Sequence, residues 1–171
     1  MLKGSHLIAT AMWAVVAISV AQPAFADSHT ASGKFEYVQV MTKDYTVVDH
    51  GEQEIIAGSL KGVNTITRSN GGPFKEGASS TLLAVVYATK STAGMDAVSQ
   101  GVLTDSEGDK RYTVAKRTAG DVSVGGGGKG RMELIGGTGK YAGIIGACEY
   151  SVDYLSEDRV VVRASCEWNR N

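Results

Sequence analysis

The chain has few of the residues on which metal centres and strongly charged binding surfaces are built. It contains three histidines, two cysteines and two prolines among 171 residues, and 17 Lys+Arg against 18 Asp+Glu leave a net charge of −1. This balance excludes the basic surface that is typical of proteins binding nucleic acid or anionic membranes. No stretch keeps the 3.6-residue apolar period of an amphipathic helix, so the sequence does not favour a helical domain.

The first 26 residues are typical of a secretory signal peptide. Lys3 precedes an apolar stretch from Leu7 to Val20, and Ala24-Phe25-Ala26 supplies small residues at a cleavage site. The stretch is shorter than the roughly 20 apolar residues that span a membrane, so we expect no membrane insertion after cleavage. We therefore predict a periplasmic or secreted protein with one domain over residues 27–171, a length that suits a single hydrophobic core.

Recognised metal, nucleotide and hydrolase motifs are absent from the sequence. The exported part has only His29 and His50, and the segment 49–54 lacks the spacing of a zinc or calcium site. The segment 136–140 resembles a phosphate loop but lacks its first glycine, and Tyr141 follows where Ser or Thr would bind magnesium. No Gly-x-Ser-x-Gly elbow occurs. We expect no metal, no cofactor and no nucleic-acid partner.

Two alternating segments near the end of the chain predict a β-hairpin with a single register. Pairing residues 146–154 with 160–168 places Cys148 opposite Cys166, Tyr150 opposite Ala164 and Tyr154 opposite Val160, all on one face. A slip by one residue would pair apolar with polar positions along the whole ladder. Because the cysteines are even in number and the compartment is oxidising, we expect them to form a disulfide.

The rest of the exported chain consists of short alternating or β-branched segments separated by Gly, Asn, Asp and Ser. A loop at 105–109 and a break at 70–73, which holds the exported part's only proline, Pro73, are clear turn signals. About eight or nine strands in adjacent pairs favour a closed antiparallel barrel, because closure removes exposed edges, with a two-sheet sandwich as the alternative. The predicted strands are Lys34–Met41, Thr46–His50, Glu54–Arg68 (bent at Gly58 or Gly62), Thr81–Thr89, Ala97–Thr104, Lys110–Arg117, Gly130–Leu134, Ile144–Tyr154 and Val160–Trp168.

The segment 81–88, TLLAVVYA, is apolar on both of its faces. A barrel strand buries only one face inside, so the second face needs another explanation. We consider a subunit contact, a packed terminal segment that covers it, or simple exposure of a strand rich in small and β-branched residues.

The segment from Glu133 to Gly146, ELIGGTGKYAGIIG, resembles the glycine-rich corner of the allene oxide cyclase and dirigent-like barrels, including their bacterial relatives. The acidic hairpin from Asp105 to Tyr112 is similar to the one that precedes this corner in the same group. The resemblance implies an eight-stranded calycin/dirigent-like antiparallel β-barrel, often trimeric, with an apolar cavity that in some members guides cyclisation or coupling of a small hydrophobic substrate without a cofactor. It implies a structural role for the corner residues, with Tyr141 closing one end: Gly136, Gly137, Thr138, Gly139 and Tyr141.

Candidate ligand-binding residues follow from alternation within the predicted strands. Tyr150 and Tyr154 share the apolar face of the last hairpin, and buried phenols need hydrogen-bond partners. Tyr87, on the two-sided strand, and Tyr112, opposite Val102, are further candidates. Arg111 is the charged candidate, and a rim ion pair with Asp105 or Asp109 is the alternative reading of it. No catalytic residue is identified.

Three functional hypotheses remain open at this stage. The first is a barrel that binds a small hydrophobic, lipid-like or phenolic molecule in its cavity. The second is a cofactor-free isomerase, cyclase or stereo-guiding protein, which requires a buried acid or base near two phenols. The third is a barrel filled by side chains that acts through its surface, by self-assembly as a dimer or trimer or with an envelope partner.

Overall fold

The computed structural model describes residues 32–120, 127–155 and 158–171, with only the backbone for 118–120. These residues form eight strands joined by turns and loops, with one short 3-10 helix. The predicted signal segment and its cleavage site lie outside the described residues, as do Ser156 and Glu157 in the last hairpin. The strands are β1 (Ser32–His50), β2 (Gln53–Ser69), β3 (Ser79–Ser91), β4 (Gly94–Asp105), β5 (Lys110–Gly120), β6 (Gly127–Gly137), β7 (Ile144–Tyr154) and β8 (Arg159–Arg170), with the 3-10 helix at Gly139–Tyr141.

The strands close into a single antiparallel barrel in chain order. Each strand pairs with the next, and β8 returns to pair with β1 from Ser32↔Asn169 to Thr42↔Arg159. The prediction of a closed eight-stranded antiparallel barrel is confirmed, and the sandwich alternative is wrong. Among the described residues every strand therefore has two neighbours, and no whole strand is left at an edge of the sheet.

The prediction of separate strands at Lys34–Met41 and Thr46–His50 is wrong, because one continuous strand covers both. Lys43 and Asp44, which lie between the two predicted strands, keep the ladder with β2 through Lys43↔Leu60 and Asp44↔Ser59. β1 pairs with β8 only as far as Thr42, so its last residues run beyond β8 and continue alongside β2 alone.

The last hairpin has the predicted register. Cys148 lies opposite Cys166, Tyr150 opposite Ala164 and Tyr154 opposite Val160. The two cysteines form a disulfide, and both are buried inside the barrel. A bridge with a sequence separation of 18 contributes about 2–3 kcal/mol to the free energy of unfolding. A buried disulfide is consistent with an oxidising environment.

Alternation divides the side chains of each strand between an interior and an outer face. The interior is one continuous apolar cluster that includes residues from the strands and from the loop between β2 and β3. In β3, Leu82, Ala84 and Ala88 are buried, whereas Leu83, Val85 and Tyr87 are more than half exposed on the outside. Within the described ranges, no helix is long and apolar enough to cross a membrane.

Candidate functional site: the barrel cavity and its two ends

The interior of the barrel holds a cavity of about 100 Å³. Its walls are mainly apolar, with phenols, an amide, two hydroxyls and one guanidinium among them. The lining residues are Tyr37, Gln39, Met41, Tyr45, Leu60, Leu82, Ala84, Val86, Ala97, Val98, Ser99, Leu103, Thr113, Ala115, Arg117, Met132, Tyr150, Val152, Tyr154, Val160 and Val162. The cavity therefore runs from the middle of the barrel toward the end at which β7 passes into β8.

The opposite end of the barrel is closed by an aromatic plug, made of Phe35, Phe74, Tyr141 and Trp168. Phe74 enters from the loop between β2 and β3 and stacks on Phe35, with ring centroids 3.9 Å apart. Its ring lies 5.7 Å from that of Tyr141 and 5.5 Å from that of Trp168. All four side chains are almost fully buried. This end is thus a solid core and offers no way into the cavity.

A glycine lets the plug loop approach Trp168. Gly72 has φ of 72°, a region that favours glycine, and a Cβ at this position would collide with the indole ring of Trp168. The predicted break at 70–73 is therefore a turn that delivers Phe74 into the barrel. The sequence offered no periodic signal for this residue, because it lies in a loop.

Arg111 belongs to the plug rather than to the cavity wall. Its side chain is 3% exposed, and its guanidinium carbon lies 5.3 to 5.8 Å from the ring centres of Phe35, Phe74 and Tyr141. One guanidinium nitrogen donates to Asn64 Oδ1 at 3.2 Å. Burial lowers the pKa of Arg111 from its usual value, although nearby groups oppose the shift.

The expected rim ion pair of Arg111 does not form. None of the ion pairs among the described residues includes Arg111, and Arg111 does not line the cavity. The alternation of β5 turns its side chain inward, away from the acidic loop at the rim. The aromatic rings around it supply the attraction that a carboxylate would otherwise provide.

Lys140 joins the glycine-rich corner to the acidic hairpin. Its ammonium contacts Asp105 at 2.7 Å and Glu107 at 2.9 Å, and its backbone N–H donates to Asp109 at 3.0 Å. Gly139 has φ of 51°, and a Cβ there would collide with the carboxylate of Asp109. The two segments that carried the family resemblance therefore pack against each other at the plug end, where they shape the corner.

The carboxylate of Asp105 is held in its charged form by this arrangement. Burial alone would raise its pKa, but hydrogen bonds from Lys140 and from the backbone of Glu107 and Asp109 outweigh burial and lower it. Asp105, Glu107 and Asp109 offer carboxylate oxygens within 4.8 Å of one another. The Lys140 ammonium already pairs with this group, which gives the cluster a structural role.

The cavity end opposite the plug carries two cations beside one phenol. We call Lys43, Tyr45, Arg117 and Tyr154 the mouth. Arg117 is 8% exposed and donates to Tyr154 Oη at 3.0 Å and to the carbonyl of Gly127 at 3.2 Å. The Arg117 guanidinium carbon and the Lys43 ammonium lie 5.4 and 5.5 Å from the centre of the Tyr154 ring.

Tyr150 lies along the inner wall instead of projecting across the cavity. Its ring occupies the space next to Gly130, where a Cβ would collide with the phenol, and its hydroxyl donates to the carbonyl of Lys116 at 3.3 Å. Burial raises the pKa of Tyr150 from 10.0 to about 12, against the opposing field of Arg117. The phenol therefore stays protonated over the physiological range and serves as a hydrogen-bond donor.

Of the four tyrosines that were predicted to bind a ligand, the structure brings two together at the cavity. Tyr150 and Tyr154 line it, whereas Tyr87 is 57% exposed on the outer face and Tyr112 points outward between the inward-facing Arg111 and Thr113. The expectation that Tyr87 and Tyr112 face inward is therefore corrected. In a strand that is apolar on both faces, the sequence pattern does not say which face is inside.

Several cavity residues were not identified from the sequence. Tyr37 and Tyr45 line the wall, and burial raises the pKa of both phenols. Tyr37 donates to the sulfur of Met132 at 3.6 Å. Arg117 was also missed, although the sequence offered a signal. It lies six residues after Arg111, so it falls on the same face of β5 as Arg111, Thr113 and Ala115.

Comparison with protein-family models, with curated proteins and with solved structures finds no match to this chain. The structure defines the class as a closed eight-stranded antiparallel barrel with a small interior cavity. The resemblance to allene oxide cyclase and dirigent-like barrels stays a prediction that rests on the corner and the acidic hairpin.

Proposed function

We propose that this chain is an exported barrel that binds a small, largely apolar molecule in its cavity. The observation that carries the proposal is the cavity itself, a mainly apolar space of about 100 Å³ with the hydrogen-bonded pair Arg117 and Tyr154 at one end. Ligand sites commonly combine an apolar lining with a few placed polar groups. A barrel that was completely filled by its side chains would leave no such space.

The size of the cavity restricts the ligand. Pockets for drug-sized molecules span about 300 to 1,000 Å³, and an apolar cavity of about 150 Å³ accommodates a molecule such as benzene. A cavity of about 100 Å³ is smaller than this, so it takes at most one aromatic ring or a short alkyl chain inside the barrel. A longer lipid-like molecule would have to leave part of its length outside the mouth.

Blocking the cavity tests this proposal. Ala115 lines it, whereas Ala57 is exposed on the outer face, so Ala115→Leu and Ala57→Leu add the same side-chain atoms inside and outside. Binding of a panel of single-ring phenols and short-chain alcohols would be measured by titration calorimetry or by ligand-observed NMR. We expect at least a tenfold loss of affinity with Ala115→Leu and none with Ala57→Leu. Equal affinities for the two variants, or no binding to the unmodified chain, would refute a cavity site.

A second candidate function is that of a cofactor-free isomerase, cyclase or stereo-guiding protein acting on such a molecule. One observation favours it: Arg117 and the Tyr154 hydroxyl lie 3.0 Å apart at the cavity, and paired donors of this kind stabilise a developing oxyanion. The described lining includes no carboxylate or imidazole to act as a base. Incubation of bound ligands with the protein, followed by mass and chiral analysis, separates this function from binding, since only catalysis changes the ligand.

A further inference from the structure

The last part of β1 has a free backbone edge at the mouth end of the barrel. The ladder between β1 and β8 ends at Thr42, and one further hydrogen bond runs from the Lys43 N–H to the carbonyl of Asp158 at 2.8 Å. The ladder between β1 and β2, in contrast, continues to His50. Within the described parts of the chain, residues 44–50 are therefore paired on one side only.

The hydrogen bond of Lys43 shows which backbone groups face this edge. Along an antiparallel strand, the backbone groups of successive residues point alternately to one side and to the other. Because the Lys43 N–H points toward β8, the backbone groups of Tyr45, Val47 and Asp49 point to the same side. Among the described residues, none of these groups has a backbone partner there. Val47 and Val48 are 54% and 55% exposed, so the edge is open to solvent.

A second copy of the same edge can pair with it in an antiparallel register centred on Val47. A two-fold axis requires that residues with outward backbone groups lie opposite residues of the same kind. Centring the pair on Val47 satisfies this condition. The opposed side chains are then Asp44 with His50, Tyr45 with Asp49, Thr46 with Val48, and Val47 with its own copy.

Each of these opposed pairs is chemically compatible. An imidazole N–H can donate to the Asp44 carboxylate, and the Tyr45 phenol can donate to the Asp49 carboxylate. The remaining pairs join β-branched side chains, which pack well across neighbouring strands.

The neighbouring symmetric registers are less favourable. Centring the pair on Thr46 needs the Lys43 N–H, which already donates to Asp158, and places Asp44 opposite a valine. Centring it on Val48 places Asp49 opposite a valine and leaves Asp44 unpaired. Only the register centred on Val47 gives both carboxylates a hydrogen-bond donor.

We propose that two copies of this chain pair edge to edge through residues 44–50 of β1, in antiparallel register centred on Val47. The opposed residues with outward backbone groups exchange two hydrogen bonds per pair, and the sheet continues from one barrel into the other. The contact uses the same surface on both copies, so it closes at a dimer. Because Tyr45 lines the cavity, the dimer also brings a carboxylate of the second copy to the mouth.

Sedimentation velocity of the purified exported chain over a wide concentration range tests the pairing, with Val47→Lys and Val85→Lys as matched variants. Both valines are more than half exposed, but Val85 lies on the outer face of β3, away from the edge. A lysine in place of Val47 faces its own copy across the axis, and like charges directly opposite each other are destabilising. We expect the dimer dissociation constant to rise at least tenfold with Val47→Lys and to change less than twofold with Val85→Lys.

Two results of this experiment would refute the edge dimer. An unmodified chain that stays monomeric at every concentration would leave the edge to an extended segment of another protein. Dissociation by Val85→Lys but not by Val47→Lys would place the contact on the outer face of β3. Circular dichroism checks that both variants are folded.

A charge exchange tests the register and the symmetry. Asp44→Lys places an ammonium opposite the imidazole of His50, and His50→Asp places two carboxylates opposite each other, so each should weaken the dimer at least threefold. The double variant again pairs a cation with an anion and should return to within twofold of the unmodified chain. The two positions lie about 20 Å apart along one strand, so the recovery cannot arise within one copy. A double variant that is as weak as the single ones would overturn the register.

Discussion

The two ends of the barrel each hold a buried arginine, and the arginines differ in almost every other respect. Arg111 and Arg117 project from the same face of β5, 3% and 8% exposed. Arg111 is surrounded by three aromatic rings and lies outside the cavity lining, whereas Arg117 lines the cavity and bonds to a phenol hydroxyl. The neighbours, not the residue type or its burial, decide whether a buried cation packs into a solid core or lines a cavity.

The largest expected effect comes from removing the centre of the plug. Phe74→Ala should lower the free energy of unfolding by about 3–5 kcal/mol, because it leaves a cavity among rings that cannot collapse around it. Tyr45→Ala, at the partly exposed mouth, should lower the free energy of unfolding by clearly less than Phe74→Ala does. Denaturant unfolding measures both values. Equal losses would contradict the view that only one end is solid core.

Exchanging each arginine for methionine sharpens the comparison at the level of binding. With a single-ring phenol as the probe, Arg117→Met should lower affinity at least tenfold, equivalent to about 1.4 kcal/mol, because Arg117 lines the cavity and bonds to Tyr154 there. Arg111→Met should change it less than twofold, because Arg111 does not line the cavity. Calorimetry measures the two affinities, and circular dichroism checks that both variants are folded. A similar loss from both would mean that the plug and the mouth are not independent.

High pH should weaken the fold through the wall phenols. The pKa of Tyr150 is raised from 10.0 to about 12, so the folded state holds the phenolic proton more tightly than the unfolded state does. The stability linked to this proton is complete below pH 10 and is lost as the pH rises through 12. Tyr150→Phe should flatten this fall in unfolding free energy. Denaturant unfolding at a series of alkaline pH values measures it, and an unchanged slope would contradict the assignment.

The smallest effect on stability is expected on the outer face. Leu83→Ser should change the unfolding free energy by less than about 0.5 kcal/mol, because Leu83 is more than half exposed. Sedimentation velocity on the same variant tests the expectation that this face is a subunit contact. Dissociation of a dimer or trimer on substitution would support it, and an unmodified chain that sediments as a monomer would contradict it.

The strands in which apolar and polar residues alternate strictly were predictable in detail. β7 and β8 have one apolar and one polar face, so their register and the cysteine pair followed from the sequence. β3 is apolar on both faces, so the same reasoning could not place Tyr87. Phe74 acts from a loop, where no periodicity exists. Arg117 lies on the same face of β5 as the predicted candidate Arg111, which the alternation of the sequence does show, but the barrel was needed to show that this face points inward.

The seam between β1 and β8 brings the two ends of the described chain side by side. Ser32 lies opposite Asn169, so a short linker could join residue 171 to residue 32 without disturbing the ladder. New termini could then be opened at the exposed turn of residues 92–93, between β3 and β4. Such a circular permutant would keep the disulfide, the plug and the mouth while moving both chain ends away from Phe35, which makes the barrel a platform that can be fused to other proteins at either position.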